Sequence, residues 1–209
     1  MKIVEPSYEI LTDISEGGLE ELKAVEQAAR TCYKSLTKDF EATKKLISSL
    51  IAHDHLAMLE FGDITVRFVC DRGVSHELVR HRMCSFAQES TRYCNYSKEK
   101  YGCEITVVRP LFTDDEFSYE LWKGSCEVAE KAYLRLLDIS VSAQDARSVL
   151  PNSLKTEVVM KGNYREWRHI FELRTASGAH PEMRRIMAPL QKELRSKIPI
   201  IFDDYRAKE

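Results

Sequence analysis

The run Ile64-Thr65-Val66-Arg67-Phe68-Val69-Cys70 places Ile64, Val66, Phe68 and Cys70 on alternate positions. A period of two is that of a half-buried β-strand. On its N-terminal side the period changes. Leu19, Leu22, Val25 and Ala29 recur at helical spacing between Leu19 and Arg30, and Phe40, Ile47, Leu50 and Ile51 repeat the signal, predicting two amphipathic helices. On its C-terminal side, Asp71 to Gly73 predicts a turn and a helix beginning near Ser75. Ile105 to Arg109, closed by Pro110, is a second strand, and Thr113-Asp114-Asp115-Glu116 has the spacing of a capping box. The helix it opens carries Phe117, Leu121, Val128 and Ala132 on one side. Ser142 to Asp145 starts a short helix that must end by Pro151, because proline disfavours helical geometry in the residue before it. Leu154, Thr156, Val158 and Met160 alternate as a third strand. Asn163 caps the next helix, with Glu166 three residues on, and Pro181 opens the last one, which Pro189 is expected to kink or shorten. Three strands among about six helices, without regular βαβ alternation, predict an α+β or mixed α/β fold, a small sheet flanked by helices.

The chain has 209 residues, about the length of one domain. It contains no repeat, low-complexity tract or linker, so residues 1–209 read as one unit. With 44% hydrophobic and 31% charged residues it can build a packed core and lies outside the disordered class. Lys plus Arg number 31 against 33 acidic residues, which excludes the broad positive field of an indiscriminate nucleic-acid binder. Any anion must be met locally. The opening MKIVEPSYEI has no apolar signal region and no apolar stretch approaches the ~20 residues of a membrane span, so a cytoplasmic protein without membrane partners is expected. The six cysteines form no Cys-x-x-Cys pair and read as reduced thiols.

The densest polar stretch runs from Arg80 to Tyr93 and holds three arginines, a histidine, two serines, a threonine, an amide and two aromatics. Guanidinium forks meet phosphate bidentately, hydroxyls fill further phosphate lone pairs, amides and carboxylates read base edges, and aromatic faces stack on rings. That inventory suits a nucleotide, although a solvated helix end would look similar. Two further arginines lie on apolar stripes. Arg147 is four residues after Ala143 and three before Leu150, and Arg174 is three after Phe171, so both are expected to point toward a core. A buried guanidinium needs an anion, either an internal carboxylate such as Glu157 or Glu172 or a bound ligand. His53 and His55 flank Asp54, but alternate positions on a helix splay the two rings to different faces, and no metal is expected. Ser90 has no adjacent base to make it a nucleophile, and Cys84 reads as a small hydrophobe.

Arg80-His81-Arg82, then seven residues, then Ser90-Thr91-Arg92-Tyr93 resembles the signature of the flavin-dependent thymidylate synthases. The likeness extends through Ala28-Ala29-Arg30, His55 and Glu60, Arg147 ahead of Leu150-Pro151, Asn163-Tyr164-Arg165, and Arg174 before Ala179-His180-Pro181-Glu182. It implies a homotetramer with active sites at subunit interfaces, binding FAD, dUMP, 5,10-methylenetetrahydrofolate and NADPH, and releasing dTMP. By the same resemblance, FAD is contacted by His55, Ala57, Arg80, His81, Arg82, Gln88, Asn163, Arg165 and His169. The dUMP site is Glu77, Arg80, Gln88, Glu89, Ser90, Thr91, Arg92, Arg147 and Arg174, with Arg174 as the catalytic group that polarises or ionises uracil at N3. The chain departs from the family where Ala87-Gln88 replaces a frequent Asn-Glu, Glu77 a glutamine, His169 an asparagine, Ala57 a hydroxyl residue and Cys32 a serine. Two other readings stand beside it: a single-strand or RNA-binding platform built on Arg80, Arg82, Arg92, Phe86 and Tyr93, and a phosphohydrolase with a metal at His53 and His55.

Overall fold

A computed structural model describes residues 1–36 and 39–203; positions 37, 38 and 204–209 of the single unit expected over 1–209 lie outside the described residues. In chain order the elements are β1 (Lys2–Val4), β2 (Ser7–Ile10), α1 (Leu19–Tyr33), α2 (Phe40–Ala52), β3 (Asp63–Asp71), α3 (Arg72–Leu78), β4 (Ser85–Gln88), β5 (Thr106–Val108), α4 (Glu116–Asp138), α5 (Ala143–Ala146), β6 (Lys155–Asn163), α6 (Tyr164–Arg174), α7 (Pro181–Lys197) and α8 (Pro199–Phe202). Short 3-10 turns join several of them. One sheet has the order β2-β3-β6-β4, and β1 pairs with β5 in parallel, Ile3 opposite Val107. This is the mixed α/β class that the pattern predicts. The three predicted strands are present, and β1, β2 and β4 join them.

The chain sorts into two compact units, each gathered from several segments. The first holds Met1–Ser7, Phe68–Arg80 and Phe86–Val159; the second holds Tyr8–Arg67, His81–Ser85 and the chain from Met160 onward. In the first unit, Tyr96, Ile105, Val107, Trp122, Cys126, Tyr133 and Leu154 form the core. The Trp122 indole donates to Ser153 Oγ at 2.9 Å, so its polar edge is satisfied where its ring is buried. In the second, Trp167 stacks near Phe171 (ring centroids 5.6 Å apart), and Phe171 meets Phe202 edge-on. Trp167 also donates to the Ile64 carbonyl of β3 at 3.0 Å. Gly62 admits the start of α6: a Cβ there would stand 2.1 Å from the Tyr164 ring, and the Gly62 carbonyl accepts from the Tyr164 amide. Bare backbone at 62 thus sets where α6 begins.

Several expectations are corrected. The predicted turn at Asp71–Gly73 is the first turn of α3, because Asp71 Oδ1 accepts from the Val74 amide and so starts the helix at Arg72, ahead of Ser75. Asp115, not Thr113, caps α4 by accepting from Ser118; the Thr113 hydroxyl is spent on the Pro110 carbonyl. Phe117, Leu121 and Val128 are 79%, 64% and 67% exposed, while Trp122, Cys126 and Tyr133 face the core. The two stripes share the spacing 0, 4, 11, so periodicity alone cannot choose between them, and the heavier aromatic stripe is buried. Pro189 does not shorten α7, which continues to Lys197.

Candidate functional site

In the first unit α3, the segment after Ser90, and α5 with the turn behind it border a cleft of about 510 Å³. Arg72, His76, Thr91, Arg147, Ser148 and Asn152 line it, together with apolar Leu150, Pro151 and Leu154. The volume is within the ~300–1,000 Å³ of small-molecule sites. Arg147 Nη1 donates to Thr91 Oγ1 at 3.1 Å, and its Nε donates to the Gln144 carbonyl at 3.0 Å. Arg72 Nη1 reaches Thr156 Oγ1 at 3.4 Å. Neither guanidinium has a carboxylate within ion-pair distance among the described residues, and none of the lining side chains is acidic. Two unneutralised guanidiniums and hydroxyls facing one concave wall make an anion site, in which the local field is focused by the cleft.

Beside it, Gln88 Nε2 donates to Ser75 Oγ (3.0 Å) and Thr156 Oγ1 (3.3 Å), which leaves its amide oxygen as the acceptor end. Ser90 Oγ accepts only from the Arg92 amide, at 3.4 Å, among the described residues. Glu89 stands apart: it takes the Lys155 ammonium at 3.1 Å and the Tyr96 hydroxyl at 3.0 Å. Burial pulls Lys155 down, but Glu157 and Glu89 outweigh it and hold the ammonium above its ordinary range.

The second unit has a cleft of about 450 Å³ lined by Leu56, Glu60, Met83, Asn163, Arg165, Arg168 and His169, with Glu166 and Glu172. Asn163 sits at the N-cap of α6, accepting from the Glu166 amide at 2.8 Å, as its spacing predicts. Arg165 pairs with Glu60 at 2.6 Å. At the C-terminal end of α6, Arg174 Nε donates to His81 Nε2 at 3.0 Å. Glu166 Oε1 lies 3.5 Å from the other nitrogen, His81 Nδ1. Burial, then the charges of Arg174 and His169, pull the His81 pKa down to about 4, so the ring is neutral at pH 7. Burial raises the Glu166 carboxyl, with His169 opposing. Burial and Glu166 push the Cys84 thiol up to about 12.

The residues singled out from sequence therefore divide. Glu77, Arg80, Gln88, Glu89, Ser90, Thr91, Arg92 and Arg147 belong to the first unit; His55, Ala57, His81, Arg82, Asn163, Arg165, His169 and Arg174 belong to the second. Thr91 and Arg147 meet directly, as do His81 and Arg174. Arg147 is exposed, so its expected core-facing position is corrected; Arg174 is half-buried. α5 ends at Ala146 and tightens into a 3-10 turn over Arg147–Val149, where an α-helical stripe no longer holds. Arg72 and His76 were missed, although their i, i+4 spacing after the Asp71 cap would put both on one helix face. The helical splay expected of His53 and His55 is corrected: α2 ends at Ala52, both histidines lie beyond it, and their ring centroids stand 6.1 Å apart, with His53 Nδ1 donating to the Ser49 carbonyl at 2.8 Å. Among the described residues no three His, Cys, Asp or Glu side chains gather as a metal set, and no helix is long and apolar enough to cross a membrane.

An arginine-lined anion cleft in one unit, and in the other a cleft of mixed charge lined by Glu60, Arg165, Glu166, Arg168 and Glu172, suit a protein that binds anionic, nucleotide-like ligands. Residues 18–200 match the family model described as thymidylate synthase complementing protein, and the chain belongs to that family. It is 34% identical to the flavin-dependent thymidylate synthase of Corynebacterium aurimucosum, over 92% of this chain and 83% of that protein. It is 32% identical to the protein of the same name from Geobacter sulfurreducens, over 87% and 80%. The crystal structure of PolB from Streptomyces cacaoi, a UMP/dUMP methylase bound with 5-Br dUMP, has a similar fold, with a TM-score of 0.79 at 22% identity, covering 97% of this chain and 96% of that one.

Proposed function

We propose that the chain is a flavin-dependent thymidylate synthase, converting dUMP to dTMP with 5,10-methylenetetrahydrofolate as carbon donor, FAD as resident cofactor and NADPH as reductant. The observation that carries the reading is the cleft in which Arg72 and Arg147 face Thr91 without a carboxylate among the described residues. Such a cleft favours the phosphate of a nucleotide, and the family supplies which nucleotide. Thr91, Arg147, Ser90 and Arg92 hold dUMP, with Glu77, Arg80, Gln88 and Glu89 carried over as further contacts. In the second cleft Asn163, Arg165 and His169 would hold the polar part of FAD, with Arg168 beside them, Glu60, Glu166 and Glu172 on the same wall as acceptors for its hydroxyls, and exposed Met83 offering an apolar surface for a ring. His55, Ala57, Arg80, His81, Arg82 and Gln88 are carried over for the rest of the flavin. When bound, the flavin supplies the hydride that completes the methyl group.

The protein then has no need of a nucleophile, and Ser90 and three of its six cysteines agree. The Cys70 and Cys84 thiols are pushed up to about 12 and Cys126 to about 11, chiefly by burial, so none is a ready thiolate. Ser90 has no base at its hydroxyl among the described residues. What remains for the chain is electrostatic: by the family resemblance Arg174, its planar fork set at the end of α6, is the group for the N3–C4=O edge of a bound uracil, where it would stabilise negative charge that develops on the ring. The second cleft, at about 450 Å³, is in the lower part of the range for drug-sized ligands, and FAD is larger than such a ligand. That shortfall supports the reading in which other copies complete the site in a homotetramer, with residues 1–209 acting as one cytoplasmic domain.

The test is dUMP-dependent oxidation of NADPH with dTMP identified as product, on protein that carries a flavin absorbance as purified or after addition of FAD. Product formation that ignores chelator and elution near four times 24.2 kDa are expected. A colourless protein that binds polynucleotide in a salt-sensitive way and makes no dTMP would replace this reading with the single-strand-binding one.

A further inference from the structure

Arginine Nε carries a hydrogen and can only donate, so the 3.0 Å contact between Arg174 Nε and His81 Nε2 fixes His81 Nε2 as an acceptor. The ring proton then sits on Nδ1, the side on which Glu166 Oε1 stands 3.5 Å away. The His81 side chain is 4% exposed, whereas Arg174 is half-buried on the last residue of α6. A contact at Nε, partway along a long side chain, restricts the plane in which its guanidinium lies. We infer that His81 is the positioning residue for Arg174: as the Nδ1–H tautomer it grips the guanidinium at Nε and fixes the plane of the fork.

The charged and titratable groups around His81 support that tautomer. Arg174, His169 and Glu166 face it from α6, the His169 ring edge-on at 6.5 Å, and Cys84 lies on its own segment. Protonation would remove the acceptor and set a cation against Arg174; the pKa of about 4 keeps the ring neutral. The arrangement has the logic of a carboxylate that orients a histidine which in turn orients a third group. This inference rests on the reading of Arg174 as the ring-facing group, and it gives His81 a task distinct from touching the flavin, which is all that the resemblance implies.

The test follows the ring nitrogen of a bound nucleotide. 5-Fluoro-dUMP is the probe, since fluorine makes N3–H more acidic and its ¹⁹F resonance reports the ionisation. In the flavin-loaded enzyme a guanidinium held at the ring lowers the apparent N3 pKa below that of the free nucleotide. His81→Leu should raise it by about one unit, leaving about tenfold less ionised ligand at a pH well below that pKa. His81→Gln, whose amide oxygen reaches the place of Nε2, should keep the wild-type value; His81→Asn, whose amide reaches only the place of Nδ1, should behave like His81→Leu. Because His81 is also carried over as a flavin contact, flavin absorbance is measured on each variant and the N3 pKa values are compared on the flavin-loaded fraction. Should His81→Leu fail to fold, the Gln and Asn variants decide, and equal values for these two overturn the inference. If the N3 pKa moves in Arg174→Ala but not in His81→Leu, His81 does not position Arg174. If it moves in neither, or the nucleotide does not bind, the reading of Arg174 itself falls.

Discussion

Arg147 and Arg174 look alike in the sequence, each an arginine on an apolar stripe, and the structure treats them oppositely. Arg147 follows a helix of four residues, is exposed, and is held by a threonine hydroxyl and a backbone carbonyl. Arg174 ends a helix of eleven residues, is half-buried, and is held by a neutral imidazole. A solvated fork in a polar cleft binds ground state and transition state about equally. A fork fixed beside a buried ring, in a medium that screens weakly, can favour charge that appears only during reaction. On the proposed reading the contrast is between holding and activating, and it can be broken by kinetics.

The largest effect belongs to Arg174. Arg174→Ala should lower kcat by about 100- to 1,000-fold, the cost of removing one preorganised donor from a developing anion, while dUMP still binds. Lysine at this position should rescue little, because a point charge on a flexible stem does not reproduce a planar fork. Single-turnover oxidation of prereduced, anaerobic enzyme by methylenetetrahydrofolate at saturating dUMP isolates the step, and a near wild-type rate would erase the difference between the two arginines. Next comes the grip itself. His81 has a pKa of about 4 in the fold against an ordinary 6.5, so between those values the unfolded chain binds more protons and stability rises with pH. Roughly 3 kcal/mol of stability, present above pH 6.5, should be lost as pH falls toward 4. The acid slope of Tm should flatten in His81→Gln, and an unchanged slope would mean that His81 charges freely in the fold.

Arg147 gives the opposite signature. Arg147→Ala removes a charge-assisted contact worth about 1.5–3 kcal/mol, so KM for dUMP should rise roughly tenfold to a hundredfold with kcat nearly kept. A fall in kcat without change in KM would assign activation to Arg147 as well. Arg92→Ala should follow the same pattern.

What the sequence discloses follows the range of the interaction. The Asn163 cap and Pro181 at the start of α7 depend on neighbours within a turn, and both are found where they are expected. The buried alternation Thr156, Val158, Met160 is equally local. By contrast β4 has four residues, half of them polar, and no strand signature of its own; its place comes from pairing with β6, where the Glu89 amide donates to Glu157. Arg147 misleads because a helical period was extended past the end of a short helix. The grip of His81 on Arg174 spans 93 residues and leaves no local trace. The motif that names the family was legible; the division of its residues between two units, and the pairing of its histidine with a distant arginine, required the fold.

The smallest effect, and the sharpest check on the holding side of the comparison, is at Ser90. Its hydroxyl accepts weakly from the Arg92 amide and meets no base among the described residues, so on the proposed reading it donates to a ligand oxygen. Ser90→Ala leaves that oxygen to Thr91, Arg92 and Arg147, which can compensate in part, and the partially solvated site lets water replace the lost donor. The cost should therefore stay near that of one ordinary hydrogen bond, about 0.5–1.5 kcal/mol, or at most about tenfold in kcat/KM. The loss should appear in KM, as for Arg147→Ala, and the double variant should lose less than the two single losses combined, because both groups serve one anion. An adduct of dUMP on Ser90 found by mass spectrometry, or a loss as large as that of Arg174→Ala, would move Ser90 from holding the nucleotide to attacking it.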